Sequence, residues 1–512
     1  MIPKEKQTEQ ETIGQDRKKQ WKTPLLDALE NYYQENPAYF CIPGHRFERG
    51  ISPNLLDLFG EQVFHYDLTE AEGLDDLHHP EGPILEAQQL ASELYKTKRT
   101  WFLVNGTTCG NEAMILASVK PGEKILIPRN AHKSVQMGLI LSGAVPVFLK
   151  PSWDEKSSIV CGIDPALVEQ ALTDDPAIRA VMLVSPTYYG IISDISAIAD
   201  VCHRHAVPLL VDEAHGSHLY FSEKLPAGAL SCGADLVSQS IHKTAGSMTQ
   251  SSMLHMNSAL IDEKRVDDAL KLVMSTSPSY ILMASLDAAR YELAVNGISS
   301  MERALHLSGE LKEELAHIDG IRVREFSTQT VRKELHVYAQ DPLRVVFSAS
   351  ECGLSGFELK EKLYEIGKIS LELADPENVV AVVTGANTTE DIRRLADAVR
   401  FLLEQETSAG CSGRSDVNPV KNNFCDFPLP EMALSPRDAW YATTEMVLVS
   451  KAAGRVAGEA IIPYPPGIPL VYPGEIITRE IQEKIYDCRD NRISVHGMAD
   501  ENLKWLKVLS DR

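Results

Sequence analysis

No stretch of this chain approaches the roughly 18 consecutive apolar residues that a membrane-spanning helix needs. Positive charge is also in short supply: 50 lysines and arginines stand against 72 acidic residues, a net charge of −22. Such a balance repels nucleic-acid phosphates and anionic lipid, so neither is expected as a partner, whereas cationic small molecules are attracted. Nine cysteines, at 41, 109, 161, 202, 232, 352, 411, 425 and 488, are scattered and never in C-x-x-C spacing. That pattern indicates neither a disulfide framework nor a zinc knuckle, and it fits a reducing, cytoplasmic setting. No metal site is expected. The first residues, "MIPKEKQTEQETIGQDRKKQ", are polar and lack the apolar stretch of a secretory signal. Without such a signal, the glycosylation sequons at Asn105 and Asn387 are read as chance. No internal repeat is visible.

At 512 residues the chain exceeds the ~250–300 at which one hydrophobic core stops growing, so several domains are expected. Short β-branched runs alternate with helical patterns: "WFLVNG" (101–106), "KILIP" (124–128), "VPVFL" (145–149), "AVMLVSP" (180–186), "VPLLVDE" (207–213) and "ADLVSQS" (234–240). That alternation predicts βαβ units and a mostly parallel sheet, an α/β fold. A helical pattern follows from about 260 to 320, and then a second α/β segment with "LRVVFSAS", "GFELKEKLYEIG" and "VVAVVTG". The stretch 406–430 is rich in Ser, Gly, Asn and Pro and reads as a linker. The expected organisation is a disordered tail (1–21), a large domain with an N-terminal segment (22–290), a small α/β domain (291–405), the linker (406–430) and a C-terminal α+β domain (431–512).

In open α/β sheets ligands sit at the carboxyl ends of strands, and polar residues collect at those ends here. After "WFLV" comes Asn105-Gly106-Thr107-Thr108-Cys109-Gly110-Asn111, leading into a helical pattern. Glycine and hydroxyls at a helix start favour a phosphate, although an ordinary N-cap is the commoner meaning of such a loop. The loop is neither a Walker sequence nor GxGxxG, so ATP and nicotinamide dinucleotides lose support. Asp212 closes the apolar "VPLLV", and Lys243 closes the next predicted strand 31 residues later, beside Ser240 and His242. A carboxylate to keep a pyridine nitrogen protonated, an amine to form an imine and a phosphate cradle are together the protein's side of pyridoxal 5'-phosphate (PLP) chemistry. His132, in "IPRNAHKS" between cradle and carboxylate, is an ordinary loop histidine or a ring that stacks on the cofactor.

The segments "PGHR" (43–46), "LDDLHHPEGPI" (74–84), "VNGTTCGN", "IPRNAHKS", "SPTYYG" (185–190), "VDEAHGSHL", "SQSIHKTAGSMTQSS", "STSPSY" (275–280) and "PYPPGIPLVYPGE" (463–475) occur in this order. From about residue 22 to the C-terminus they resemble the Orn/Lys/Arg decarboxylases of PLP fold type I, most of all the shorter biosynthetic arginine decarboxylases of bacteria. Only 42 residues precede "PGHR", which leaves no room for the N-terminal wing domain on which the larger relatives' ring assemblies depend. The resemblance implies that Lys243 forms the imine to the cofactor, Asp212 pairs with the pyridine nitrogen and His132 stacks on the ring. It gives the phosphate to Thr107, Thr108, Ser240 and His242, and makes His215 a proton relay. It also implies a homodimer as the minimal active unit, with a tetramer open, in which Thr276 and Ser277 act on the neighbouring subunit's cofactor. At Cys109, where many relatives carry a small residue, space-filling is preferred over tuning of the phosphate loop. The implied reaction is decarboxylation of a basic amino acid, arginine to agmatine first, lysine second and ornithine third. A terminal guanidinium needs a carboxylate partner, for which Glu445, Glu459 and Glu475 are candidates. An aminotransferase of the same fold type would need an arginine clamp for the substrate's α-carboxylate, and "YPPGIP" argues against it.

Overall fold

All six apolar runs quoted first form strands in the computed structural model, which describes residues 18–326, 329–408, 428–464, 467–491 and 493–510. The chain divides into two compact units. One comprises the chain up to Ala117 together with Leu210–Glu223 and Ala227–Ser299; the other comprises Ser118–Leu209, Lys224–Pro226 and the chain from Ser300 onward.

In the first unit the strands Arg99–Leu103, Ser252–Met256, Leu236–Gln239 and Leu209–Asp212 lie side by side in that order. Leu209–Asp212 and Leu236–Gln239 run parallel, with Asp212 opposite Ser238. Ser252–Met256 is antiparallel to both its neighbours, so the other three strands point the same way and end at one edge. The sequence pattern did not mark Ser252–Met256. All five of its residues, "SMLHM", are buried, and a strand covered on both faces shows no alternation. Gly106–Ser118 starts just past the end of Arg99–Leu103, its first residue turning the chain at φ +73°.

In the second unit Lys124–Pro128 pairs in parallel with Val145–Leu149 on one side and Ile178–Val184 on the other. Helices of this unit begin with side-chain caps, among them His132 for Lys133–Ser142, Asp164 for Pro165–Asp174 and Asp194 for Ile195–Arg204. Each cap satisfies an amide that the first helical turn leaves unpaired. A separate antiparallel sheet follows the order Arg322–Val323, Arg344–Ser348, Val379–Val382, Leu373–Ala374. Its core joins Val345, Phe347 and Val379 to Leu359 and Leu363 of Gly356–Gly367 and to Leu307 and Leu311 of the long helix Tyr280–Ala316. Gly356–Gly367 opens with a reciprocal Ser355/Glu358 capping box. The C-terminal region packs Ile481 and Ile485 of Arg479–Asp490 against Leu506 and Val508 of Trp505–Leu509.

Residues 1–17 of the expected tail, 409–427 of the expected linker and Pro465 and Pro466 of "YPPGIP" lie outside the described residues. Helix Thr389–Ser408 runs into the start of that linker stretch. The backbone carbonyls of Gln20 and Lys22 accept hydrogen bonds from Arg290, whose fully buried guanidinium also pairs with Asp287.

A buried bidentate ion pair in the second unit joins Arg129, just past Lys124–Pro128, to Glu475. The guanidinium donates at 2.7 and 2.8 Å to the two carboxylate oxygens. It also donates to the carbonyls of Pro469 and Leu470, and it lies 4.6 Å from the centre of the Phe148 ring and 4.9 Å from that of Tyr472. Glu475 is fully buried and takes a further bond from the Tyr472 amide. It is therefore committed to an internal cation. Of the other two candidate partners for a substrate guanidinium, Glu445 pairs with Arg455, and Glu459 accepts the amides of Ala499 and Lys507.

A buried charge stripped of its partner costs far more than the pair is worth. Glu475→Leu should therefore lower stability by about 3–5 kcal/mol, read from the urea midpoint. The double change Arg129→Met/Glu475→Leu should lose much less. An equal loss in both would show that packing, and not the stranded charge, sets the cost.

Candidate active site

At the carboxyl edge of the first unit's strands, four segments bring their polar residues together. Asp212 is the last residue of Leu209–Asp212 and is buried. Its Oδ1 accepts the Ala214 amide at 3.1 Å and its Oδ2 accepts Asn111 Nδ2 at 2.7 Å. Asn111 lies four residues after Thr107 on helix Gly106–Ser118. That spacing places the two on one helix face, a signal present in the sequence but not used.

Lys243 lies on the short helix Ile241–Thr244, which starts where Leu236–Gln239 ends. Its Nζ is 3.0 Å from Nε2 of His215, which follows Asp212 by three residues. Amine and imidazole at that separation can pass a proton directly. Ser217, two residues further, shares a 2.7 Å hydrogen bond with Thr244 and so holds this turn against the Lys243 helix.

Thr107 is buried at the start of Gly106–Ser118, its hydroxyl 2.6 Å from that of Ser240 and 3.1 Å from that of Ser252. Thr108 is the next residue, half-buried. Gln250 donates to the Val104 carbonyl at 2.8 Å and so ties the segment before Ser252 to this loop. Neither Ser252 nor Gln250 was singled out from the sequence, because both lie at the unrecognised antiparallel strand. His242 donates from Nδ1 to the Ser251 carbonyl at 2.8 Å. Burial lowers its basicity, Lys243 adds to that, and the Ser251 bond opposes it. With Nδ1 so engaged, Nε2 becomes a donor only in the imidazolium, a form that an adjacent phosphate dianion favours. Cys109 is buried with its thiol 3.1 Å from the Gly106 carbonyl, and burial pushes that thiol up to about 12. It is a packing group without thiolate reactivity.

Thr276 and Ser277 are exposed. Their segment is held by the Ser275 amide, which donates to Asn105 Oδ1 at 3.1 Å, and by the Ser275 carbonyl, which accepts from His78 Nε2. It therefore sits beside the loop that leads to Thr107. His132 belongs to the second unit. There its Nδ1 accepts the Ser134 hydroxyl at 2.8 Å and the Ser134 amide at 3.3 Å, which leaves the ring proton on Nε2.

The first unit's residues fit a PLP-type cofactor by the chemistry of their donors. Hydroxyls and unpaired amides at a helix start suit a phosphate. A buried carboxylate steadied by two donors suits a protonated ring nitrogen, and a primary amine suits an aldehyde. Among the described residues no cluster of His, Cys, Asp and Glu could hold a metal, and no helix is long and apolar enough to cross a membrane.

Comparison with known proteins identifies the family and the fold. Arginine decarboxylase of Bacillus subtilis (strain 168) is 36% identical over 493 residues, covering 96% of this chain and 99% of its own. That of Halalkalibacterium halodurans is 37% identical over 497 residues, with the same coverage. Lysine decarboxylase A from Pseudomonas aeruginosa matches in structure with a TM-score of 0.82 at 21% identity, over 95% of this chain and 80% of that one. Ureidoglycine-glyoxylate aminotransferase from Bacillus subtilis matches with a TM-score of 0.50 at 14% identity, over 63% of this chain and 85% of that one. The fold is that of the fold type I PLP enzymes. The family model for the Orn/Lys/Arg decarboxylase major domain covers residues 23–391 and that for the Orn/Lys/Arg decarboxylase C-terminal domain covers 418–487, so this chain belongs to the Orn/Lys/Arg decarboxylase family.

Proposed function

We propose that the chain removes the α-carboxylate of L-arginine, releasing CO2 and agmatine, with PLP as cofactor. The observation that carries the choice of arginine is the contrast among relatives. Those named arginine decarboxylase are 36–37% identical and match over nearly their whole length. The lysine and ornithine decarboxylases of Escherichia coli are 25–26% identical and match over 75–79% of theirs. Lysine ranks second as substrate and ornithine third.

When bound, the cofactor supplies an electron sink for the bond broken at the substrate Cα. The protein's part is to hold, orient and move protons. Lys243 is the attachment point for the cofactor aldehyde, and Asp212, fixed by Asn111 and the Ala214 amide, keeps the ring nitrogen cationic. Thr107, Thr108, Ser240 and His242 hold the phosphate, and His132 is assigned the ring face. The residues around Lys243 and Asp212 would have to orient the substrate so that the bond to its carboxylate is the one that breaks. A proton for Cα then comes from Lys243 or His215, which exchange it across their 3.0 Å contact. The working form is a cytoplasmic homodimer in which Thr276 and Ser277 reach toward the partner subunit.

Lys243→Ala should keep its circular dichroism but show no visible absorbance with PLP and no CO2 release; ordinary turnover in that variant would defeat the assignment. Asp212→Ala should retain some cofactor and turn over about 10²–10³-fold more slowly, the scale expected when one preorganised electrostatic contact is removed. An unchanged rate would remove Asp212 from the chemistry. Supplying PLP and each basic amino acid in turn, with CO2 and amine measured, should give the highest kcat/KM with arginine, and a higher value with lysine would overturn the choice of substrate.

A further inference from the structure

Next to Asp212 stands a second carboxylate that the chemistry above does not use. Glu213 is 1% exposed, and every group facing its oxygens is a donor. Oε1 accepts the Ala229 amide at 2.7 Å, and Oε2 accepts the Tyr220 hydroxyl at 2.5 Å and Gln239 Nε2 at 2.7 Å. The Tyr220 oxygen in turn accepts the Leu230 amide at 3.1 Å. Burial pushes the Glu213 carboxyl up to about 7, with Asp212 adding a little, while these hydrogen bonds pull it back. A set of donors alone calls for the carboxylate form.

The consequence runs across the sheet. Because the Gln239 amide nitrogen is spent on Glu213, its Oε1 faces His255 Nε2, at 3.2 Å, and must accept. His255 is fully buried under the Tyr95 ring, and burial lowers its basicity to about 3, so it is neutral and holds one ring proton. That proton sits on Nε2. Nδ1 then accepts the Thr100 hydroxyl at 2.8 Å. Thr100 is the direct cross-strand partner of His255, and Gln239 is its diagonal neighbour on the next strand. Thr100, His255, Gln239 and Glu213 thus link all four strands of the first unit, each bond fixed in direction by the one before it.

We propose that Glu213 is a positioning residue: its buried negative charge polarises this one-way chain and thereby holds the strand ending in Asp212 and the strand leading to Lys243 in a single alignment. The proposal rests on the roles given above to Asp212 and Lys243.

The test compares wild-type protein, Glu213→Gln and Glu213→Gln/Gln239→Glu, all buffered above pH 7. In wild type, the 15N spectrum of histidine-labelled protein should show His255 neutral with its proton on Nε2, the signal being assigned by its loss in His255→Asn. In Glu213→Gln the Gln239 amide must turn over, so the His255 proton should move to Nδ1. PLP should still titrate in, KM should change little, and kcat should fall about 10²-fold, the scale of a small misplacement at a reacting centre. The double variant presents a carboxylate oxygen to His255 where the wild-type protein presents the Gln239 amide oxygen, with an amide donating to that carboxylate, and should recover the Nε2 proton and part of kcat. A wild-type His255 protonated on Nδ1, or a wild-type kcat in Glu213→Gln, overturns the proposal. Should Glu213→Gln fail to fold, the wild-type and double-variant spectra still decide. Wild-type protein that released no CO2 from any basic amino acid would instead defeat the reading of the site, a result independent of where the His255 proton lies.

Discussion

The parallel pairing that sets Asp212 opposite Ser238 is the constraint on which the candidate site depends. It lets both strands leave the sheet at the same edge. One continues at once into His215, the other through Ser240 into the short helix that carries Lys243. The contact between amine and imidazole is a product of that register and of the turn held by Ser217 and Thr244. A slip of one residue would send every side chain of a strand to the opposite face. The register is therefore as much a part of the chemistry as the residues themselves.

Buried charge recurs among the described residues, and at several places it is met by facing partners. Asp212 and Glu213 are surrounded by donors, Arg290 finds Asp287 and two backbone carbonyls, and Arg129 finds Glu475, two carbonyls and two aromatic faces. Each group loses hydration that these partners offset. The result specifies geometry: Arg129 lies three residues before His132, and its anchoring to Glu475 fixes the course of the chain from which His132 caps its helix.

Legibility in the sequence followed how local the signal was. The parallel strands could be read because each is a short apolar run bounded by polar residues, and the order of the motifs around Asp212 and Lys243 pointed to the candidate site. Ser252–Met256 could not be read, since burial on both faces erases alternation and its His255 is polar for a reason that lies two strands away. Asn111 carried a helical-spacing signal relative to Thr107, but its partner, Asp212, is 101 residues distant. Glu475 looked like a possible substrate carboxylate because its partner, Arg129, lies 346 residues earlier.

By itself, then, the sequence determined the α/β class, the family and the identity of the amine, carboxylate and hydroxyls that collect at strand ends, because these depend on local periodicity and on the order of short motifs. Only the tertiary structure decided that Glu475 and Glu445 are consumed by internal cations and that a second acid beside Asp212 is wired across four strands. Those outcomes depend on hydrogen-bond partners that folding brings together from distant positions, and a donor or acceptor acquires its role only when its partner is in place.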